Sequence, residues 1–237
     1  MNEQNLADRE WQAAVWGNIQ SNLEFLKRVG VLSKPSCILE IGCGKGMLLN
    51  SLQESGHTVT GIDLDSDAIS QCRAAFPGIN AQVASGDSIP FADASFDVVL
   101  SFDVFEHILD SDRHLREVTR VIKPGGYYLL QTPNKWTNIP FEILRHWRKY
   151  RMGPIAGYRE LRKEHCALHN YWQLRRRFLR NGFKMTFVDI PVVNDHFRAK
   201  MRTYFGMAAA PMLALLNPDR FPQPLRTNFY VKAERLI

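Results

Sequence analysis

Three glycines at alternate positions, Gly42, Gly44 and Gly46, stand in the run CILEIGCGKG, behind an apolar stretch that carries a single acidic residue, Glu40. Glycine there lets backbone amides approach a bound group without interference from a Cβ, and a helix that follows would aim its first N–H groups at the same group. This is chemistry for cradling a nucleotide. The spacing narrows the choice. A dinucleotide fingerprint reads G-x-G-x-x-G, but position 47 is Met47, and no G-K-[ST] follows as a P-loop requires. Farther on, VTGIDLD reaches Asp63, 21 residues after Gly42. A carboxylate at that distance can accept hydrogen bonds from both hydroxyls of an unphosphorylated ribose.

Such residues work only if strand ends and helix starts hold them. Short apolar or β-branched runs predict strands over 38–41, 58–62, 81–84, 98–101, 127–131, 183–190 and 228–231. Helix-length segments at 47–55, 66–75 and 112–122 separate the early ones. Gly56 closes the first helix, Lys123-Pro124-Gly125-Gly126 ends the third, and Asn170 with Gln173 forms a capping pair for a later one. Alternation of this kind implies an α/β fold, a doubly wound and mostly parallel sheet with helices on both faces. A chain of 237 residues is read as one domain, 1–237.

Charge is uneven. Residues 1–134 hold 10 Lys+Arg against 17 Asp+Glu, and residues 135–237 hold 20 against 7, so an acidic first half meets a basic second half. The four cysteines, Cys37, Cys43, Cys72 and Cys166, show no C-x-x-C spacing and are read as free thiols. The opening MNEQNLADRE lacks the basic start and apolar centre of a secretory signal, so a cytoplasmic protein is expected. The longest apolar run, Phe205 to Leu216, is shorter than the ~20 residues a membrane span needs.

Taken together, EIGCGKG, GIDLD, GDSIPFADASFD, LSFDVFEHI and KPGG resemble the motifs of the class I S-adenosylmethionine-dependent methyltransferases, in particular the small-molecule group that includes the ubiquinone-pathway O-methyltransferases. The resemblance covers roughly residues 20–190. It implies a Rossmann-like, seven-stranded sheet with an antiparallel last strand, and S-adenosylmethionine as cofactor. Carried over by position, Gly42, Cys43, Gly44 and Gly46 would line the methionine and ribose portion, with Glu40 orienting the amino-acid end. Asp63 and Leu64 would flank the ribose, and Asp87 would accept from the adenine amino group while the Ser88 amide meets the ring. Ser101 and Phe102 would lie beside the methionine moiety. The family also implies catalytic roles for His107, in DVFEHI, and His165, in KEHCALHNYWQL: a positioned imidazole could take the proton of a hydroxyl acceptor. Asp103, Glu106 and His107 spell D-x-x-E-H, similar to the metal-binding E-x-x-E-H of some ubiquinone-pathway relatives. The same letters occur in relatives that bind no metal, and no metal ligand is assigned.

Two stretches exceed a minimal methyltransferase, near 135–169 and 191–226, and both leave from strand ends on the expected ligand side, as caps over the site. In the first, Phe141, Leu144, Trp147 and Tyr150 alternate with Arg145, Arg148 and Lys149, as in a basic interfacial helix. The expected acceptor is therefore a small molecule with an apolar or lipid-like body and a hydroxyl to methylate, met at an anionic membrane surface on the inner face. An anionic soluble substrate or RNA is one rival reading, although neither an N-P-P-Y motif nor a Pro-Cys nucleophile appears and no nucleic-acid partner is expected. A noncatalytic cofactor-binding module is the other, against which stand an intact glycine run and Asp63.

Overall fold

The computed structural model of the protein describes residues 19–140, 165–193 and 195–236, with single positions at 143, 153, 155, 156 and 159. Strands β1 (Cys37–Ile41), β2 (Thr58–Asp63), β3 (Asn80–Val83), β4 (Phe96–Phe102), β5 (Ile122–Pro133), β6 (Phe183–Val188) and β7 (Asn228–Arg235) form one sheet. Their order is β3-β2-β1-β4-β5-β7-β6. The first five pair in parallel, and β7 runs antiparallel to both β5 and β6. This is the doubly wound architecture that the motif order implies.

Side chains along a strand point alternately to opposite faces, so a strand buried on both sides must be apolar throughout. The sheet follows that rule. Ile38, Val98, Leu100, Leu129 and Tyr230 enter one layer, with Phe25 and Leu26 of helix α1 (19–29), Leu48, Leu49 and Leu52 of α2 (Met47–Glu54), and Ile69 and Cys72 of α3 (Ser66–Ala75). Their sequence neighbours Leu39, Val99, Tyr128, Leu130, Phe229 and Val231 enter the other. There they meet Leu115, Val118 and Val121 of α4 (Ser111–Val121) and Leu174 and Phe178 of α5 (Tyr171–Arg180). Phe178 stacks on Tyr128 at 5.9 Å between ring centres and packs against Phe105 and Phe183. Truncating such a buried ring costs about 3–5 kcal/mol.

Local signals end the helices as expected. The Asn170 side chain accepts from the Gln173 amide while the Gln173 side chain accepts from the Asn170 amide, a reciprocal cap on α5. Three departures have physical causes. Strand β5 begins at Ile122, directly after α4, and shifts register between its pairings with Phe96 and Val98, so Lys123–Gly126 lie inside the strand. A Cβ on Gly126 would sit 2.7 Å from the Asp97 carbonyl, which explains the glycine at that bulge. Strand β7 runs on to Arg235, beyond the expected Val231, because its polar end is paired on both sides, Glu234 with Tyr127 and with Lys184. Helix α1 escaped the sequence reading. It docks through Phe25, which lies edge-on to Phe102 at 6.2 Å and close to Tyr230 at 5.2 Å.

The long stretch 191–226 holds α6 (Asp195–Phe205), α7 (Ala209–Leu215) and short 3-10 turns. The expected basic helix of Phe141, Leu144, Arg145, Trp147, Arg148, Lys149 and Tyr150 lies outside the described residues. Among the described residues no helix is long and apolar enough to cross a membrane.

Asn134, fully buried just past β5, ties the ends of both long stretches to the sheet. Its side-chain amide donates to the carbonyls of Pro224 (3.0 Å) and Arg226 (2.8 Å), its side-chain oxygen accepts from the Trp136 amide, and its backbone amide donates to Thr227. The Lys135 amide donates to the His169 carbonyl, closing the first stretch onto the same point. Asn134→Asp keeps the shape but turns two donors into an acceptor facing two carbonyls. It should cost roughly 3 kcal/mol, the scale for leaving buried polar groups unsatisfied. Urea titration checks this, and a loss below about 1 kcal/mol would show that Asn134 carries no such tie.

Candidate functional site

In an open α/β sheet a ligand binds beyond the carboxyl ends of the strands, where the strand order reverses. Here the order reverses between β1 and β4. The loops leaving β1, β2 and β4 carry most of the residues singled out by the sequence.

The three loop glycines do different work. All have positive φ, +76° at Gly42, +51° at Gly44 and +78° at Gly46. A Cβ on Gly42 would collide with Val104, and one on Gly46 with Cys72, so these two are required by the packing of the chain itself. Around Gly44 there is open space. Of the three, Gly44 alone meets the expectation of a glycine kept bare for a ligand. Gly46 also opens α2 in the left-handed conformation.

Asp63, at the end of β2, holds this loop in place. One carboxylate oxygen accepts from the Gly44 amide (2.8 Å) and the other from the Asp65 amide (2.9 Å). Asp65 in turn caps α3 by accepting from the amides of Asp67 and Ala68. A carboxylate has about four lone-pair positions, so two remain for ribose hydroxyls.

Glu40, in β1, is 5% exposed, and its Oε2 has no hydrogen-bond partner among the described residues. Burial, reinforced by the nearby Asp63 charge, pushes its carboxyl up to about 8. A buried, unsatisfied acid beside an open glycine loop suits a cationic ligand, whose charge would complete it. S-adenosylmethionine carries a sulfonium and an ammonium, and the residues present fit it: open space at Gly44, acceptor capacity on Asp63 and an unpartnered Glu40. Leu64, the residue after Asp63, is 72% exposed.

Other expected contacts need correction. The Ser88 amide, expected to meet a ring, already donates to the Ser85 carbonyl (3.1 Å). Asp87 accepts from the Ser85 hydroxyl (2.6 Å), which leaves acceptor positions on its carboxylate for a further donor group. Ser101 is fully buried within the sheet and Phe102 nearly so, under Phe25, so in this state the Ser101 side chain is closed to a ligand. Cys43 is buried, its thiol packed towards Gly61. It shapes the loop from behind.

The second part of the site lies past β4. Asp103 adopts φ +54°, a strained conformation for a residue with a side chain and a common mark of functional turns. A 3-10 turn over Phe105–His107 follows. The Ala167 amide donates to the Glu106 carbonyl (2.8 Å) and the Cys166 thiol to the His107 carbonyl (3.2 Å), which clamps the end of the first long stretch onto this turn. His165 is thereby brought to His107, their rings edge to face at 4.9 Å. One ligand-type atom each of Glu106, His107 and His165 lies within 4.8 Å of the others. The sequence placed both histidines in the site, but only the clamp explains how residues 58 positions apart meet. The motif D-x-x-E-H had set Glu106 beside His107 without joining either to His165, and Cys166 as the clamp was missed. The available signal was the cysteine directly after His165. Glu106 is buried, accepts from the Thr132 hydroxyl (3.0 Å) and is pushed up to about 8 by burial, aided by the Asp103 charge. The Gly42–Val104 contact joins the two parts of the site.

A nearby histidine has a structural task. His114 is fully buried, so its neutral ring donates from Nδ1 to the Gly86 carbonyl (2.7 Å) and accepts at Nε2 from the Tyr128 hydroxyl (2.8 Å), and burial pushes its pKa down to about 4.

The raised carboxyl of Glu40 makes stability depend on pH. Between the ordinary value of 4.5 and about 8 the unfolded chain has lost a proton that the folded one keeps, so Glu40 lowers stability as pH rises through that window. Its share is on the order of 4 kcal/mol, at 1.36 kcal/mol per unit. His114 acts oppositely below its ordinary 6.5, so the comparison must be between variants. From pH 5 to pH 8, Glu40→Gln should gain stability relative to the unsubstituted chain in thermal or urea unfolding. Parallel pH profiles would contradict the buried, neutral Glu40.

Comparisons with known proteins agree with this geometry. Residues 39–130 match the family model described as a methyltransferase domain. Over 103 residues, 44% of this chain and 40% of the relative, the chain is 36% identical to a probable S-adenosylmethionine-dependent methyltransferase of Mycolicibacterium smegmatis. Over 114 residues, 46% of this chain and 48% of the relative, it is 32% identical to a ubiquinone biosynthesis O-methyltransferase of Pseudomonas fluorescens. The chain thus spans less than half the length of these relatives. A crystal structure of an S-adenosylmethionine-dependent methyltransferase from Mesorhizobium loti shares the fold, with a TM-score of 0.58 at 21% identity over 85% of this chain and 91% of that one. Residues 39–130 thus match a methyltransferase domain, and the sheet built on them has the fold of a solved S-adenosylmethionine-dependent methyltransferase.

Proposed function

We propose that this protein methylates a hydroxyl of a small, apolar acceptor, with His107 and His165 as the proton-accepting pair. The observation that carries the reading is the meeting of the two rings at 4.9 Å on the turn that leaves β4, one contact away from the glycine loop. When bound, S-adenosylmethionine supplies an electrophilic methyl group on a sulfonium centre. The chain's own residues hold, orient and deprotonate. Glu40, Gly44 and Asp63 would bind the cofactor, with Asp87 receiving the adenine end. A neutral imidazole has a basic ring nitrogen, so either histidine can take the proton of an attacking hydroxyl as its oxygen becomes nucleophilic. Glu106, its carboxyl raised by burial, can accept a hydrogen bond from a ring N–H through its second oxygen, which would leave the other ring nitrogen's lone pair for the hydroxyl proton. The 32% identity to an enzyme named for ubiquinone biosynthesis supports an apolar acceptor.

A second reading, an anionic acceptor, is favoured by one feature. A cavity of about 610 Å³ beside the Cys166–His169 segment is lined by Arg116, Arg176, Arg177 and Arg180, with Asp112 as the single carboxylate, paired to Arg177 at 2.7 Å.

Transfer of labelled methyl from S-adenosylmethionine to a panel of phenols and apolar alcohols tests the proposal. His107→Ala or His165→Ala should lower kcat about a hundredfold with cofactor affinity nearly unchanged, as for a lost general base. Chelator should leave the rate unchanged. Full turnover by both variants would refute the proton-accepting pair, and a chelator-sensitive rate restored by a divalent ion would replace it with metal activation at Glu106, His107 and His165. Transfer only to anionic acceptors would favour the second reading.

A further inference from the structure

Helices α6 and α7 carry a surface unlike the rest of the molecule. From Phe205 to Leu216 the chain reads FGMAAAPMLALL, with no charged or hydrogen-bonding side chain. Only Ala209 and Leu213 of that run are buried, closing a small separate core with Met201 that Phe197, Phe205 and Met212 partly cover. The rest face solvent. Met207 is 97% exposed, Leu215 83% and Leu216 54%, with Ala208, Ala210, Pro211 and Ala214 exposed among them. A surface helix normally turns polar residues outward, and one that is apolar on every side belongs in nonpolar surroundings.

Cations stand beside this patch. Arg198 and Arg202 of α6 and Arg220 after α7 are exposed and line, with Ala209, Ala210, Leu213 and Ala214, a cavity of about 220 Å³. Among the described residues none of the three forms an ion pair. The neighbouring Asp219 is committed elsewhere, accepting from the amides of Val192 and Val193 and lying 3.7 Å from Arg226. Apolar side chains with unpaired guanidinium groups beside them complement one surface chemistry, a bilayer with phosphate outside and acyl chains beneath.

We propose that the α6–α7 cap docks this protein on an anionic phospholipid bilayer. Met207, Leu215 and Leu216 enter the boundary between headgroups and acyl chains, and Arg198, Arg202 and Arg220 meet the lipid phosphates. The contact lies in the second long stretch, not in the basic run at 145–149. It would give the site access to an acceptor dissolved in the membrane, and in that respect it rests on the proposed function. The docking itself does not.

The test is cosedimentation of the full chain with vesicles of phosphatidylglycerol and phosphatidylcholine, and with phosphatidylcholine alone, at low salt and without cofactor or acceptor. Binding to the anionic vesicles only, released by 0.5 M salt, is expected, since the screening length falls to a few Å. Replacing Arg198, Arg202 and Arg220 with Gln should weaken partitioning about a hundredfold, near fivefold per residue, which corresponds to ~1 kcal/mol each. Leu215→Glu with Met207→Glu should abolish it with all arginines present. Circular dichroism and the melting temperature should stay unchanged in both, because these side chains are exposed. Failure of the unsubstituted chain to bind, equal binding to neutral vesicles, or undiminished binding by the folded variants overturns the proposal. So does a stable dimer that Leu215→Glu dissociates, which would make the patch a contact between copies. Docking without methyl transfer to any acceptor would refute the proposed function alone.

Discussion

The Asp63 carboxylate is the constraint on which the site depends. It stands at the end of β2 with one oxygen on the Gly44 amide and the other on the Asp65 amide, so one side chain fixes the glycine loop after β1 and the start of α3 after β2. Hydrogen bonds to an ionised group are the stronger kind, about 1.5–3 kcal/mol each. The loop they hold turns tightly, with three left-handed glycines in five residues. Its outer glycines are pinned by Val104 and Cys72, and the middle one is left open. The cradle is therefore built before any ligand arrives, which spares binding the cost of ordering a loop.

Around that fixed charge the site stores two neutral acids. Glu40 and Glu106 are both buried enough to hold their protons near pH 7, and each is pushed further by an aspartate at a strand end, Asp63 for one and Asp103 for the other. The pairs sit on β1 with β2 and on the turn after β4, the two sides of the point where strand order reverses. Buried acids destabilise a fold, and sites that retain them are commonly functional. A cationic ligand would offset the burial of Glu40, and proton transfer beside Glu106 is the work assigned to the two histidines.

Much of this was legible in the sequence, because local rules and global fold agree here. Apolar runs marked all seven strands, glycine and Asn170 marked helix ends, and the 21-residue step from Gly42 to Asp63 brought loop and carboxylate together across two adjacent strands. What stayed hidden depends on packing. Gly42 and Gly46 read as ligand glycines but serve contacts with Val104 and Cys72, partners that no spacing rule names. Ser101 read as a lining residue, yet the strand's alternation turns it into the sheet. Asn134, with bonds to residues about 90 positions later, carries no local signature at all. Helix α1 was missed because its docking residue, Phe25, is understood only against Phe102 and Tyr230.

The central claim is that a cradle organised by Asp63 binds S-adenosylmethionine, and calorimetric titration of the cofactor into the unsubstituted chain and into Asp63→Ala tests it most directly. One site per chain is predicted, weakened by roughly 2 kcal/mol or more in the variant, the scale for a lost charged hydrogen-bond partner. Equal affinity in a folded Asp63→Ala protein, or no binding to the unsubstituted chain, would contradict the account.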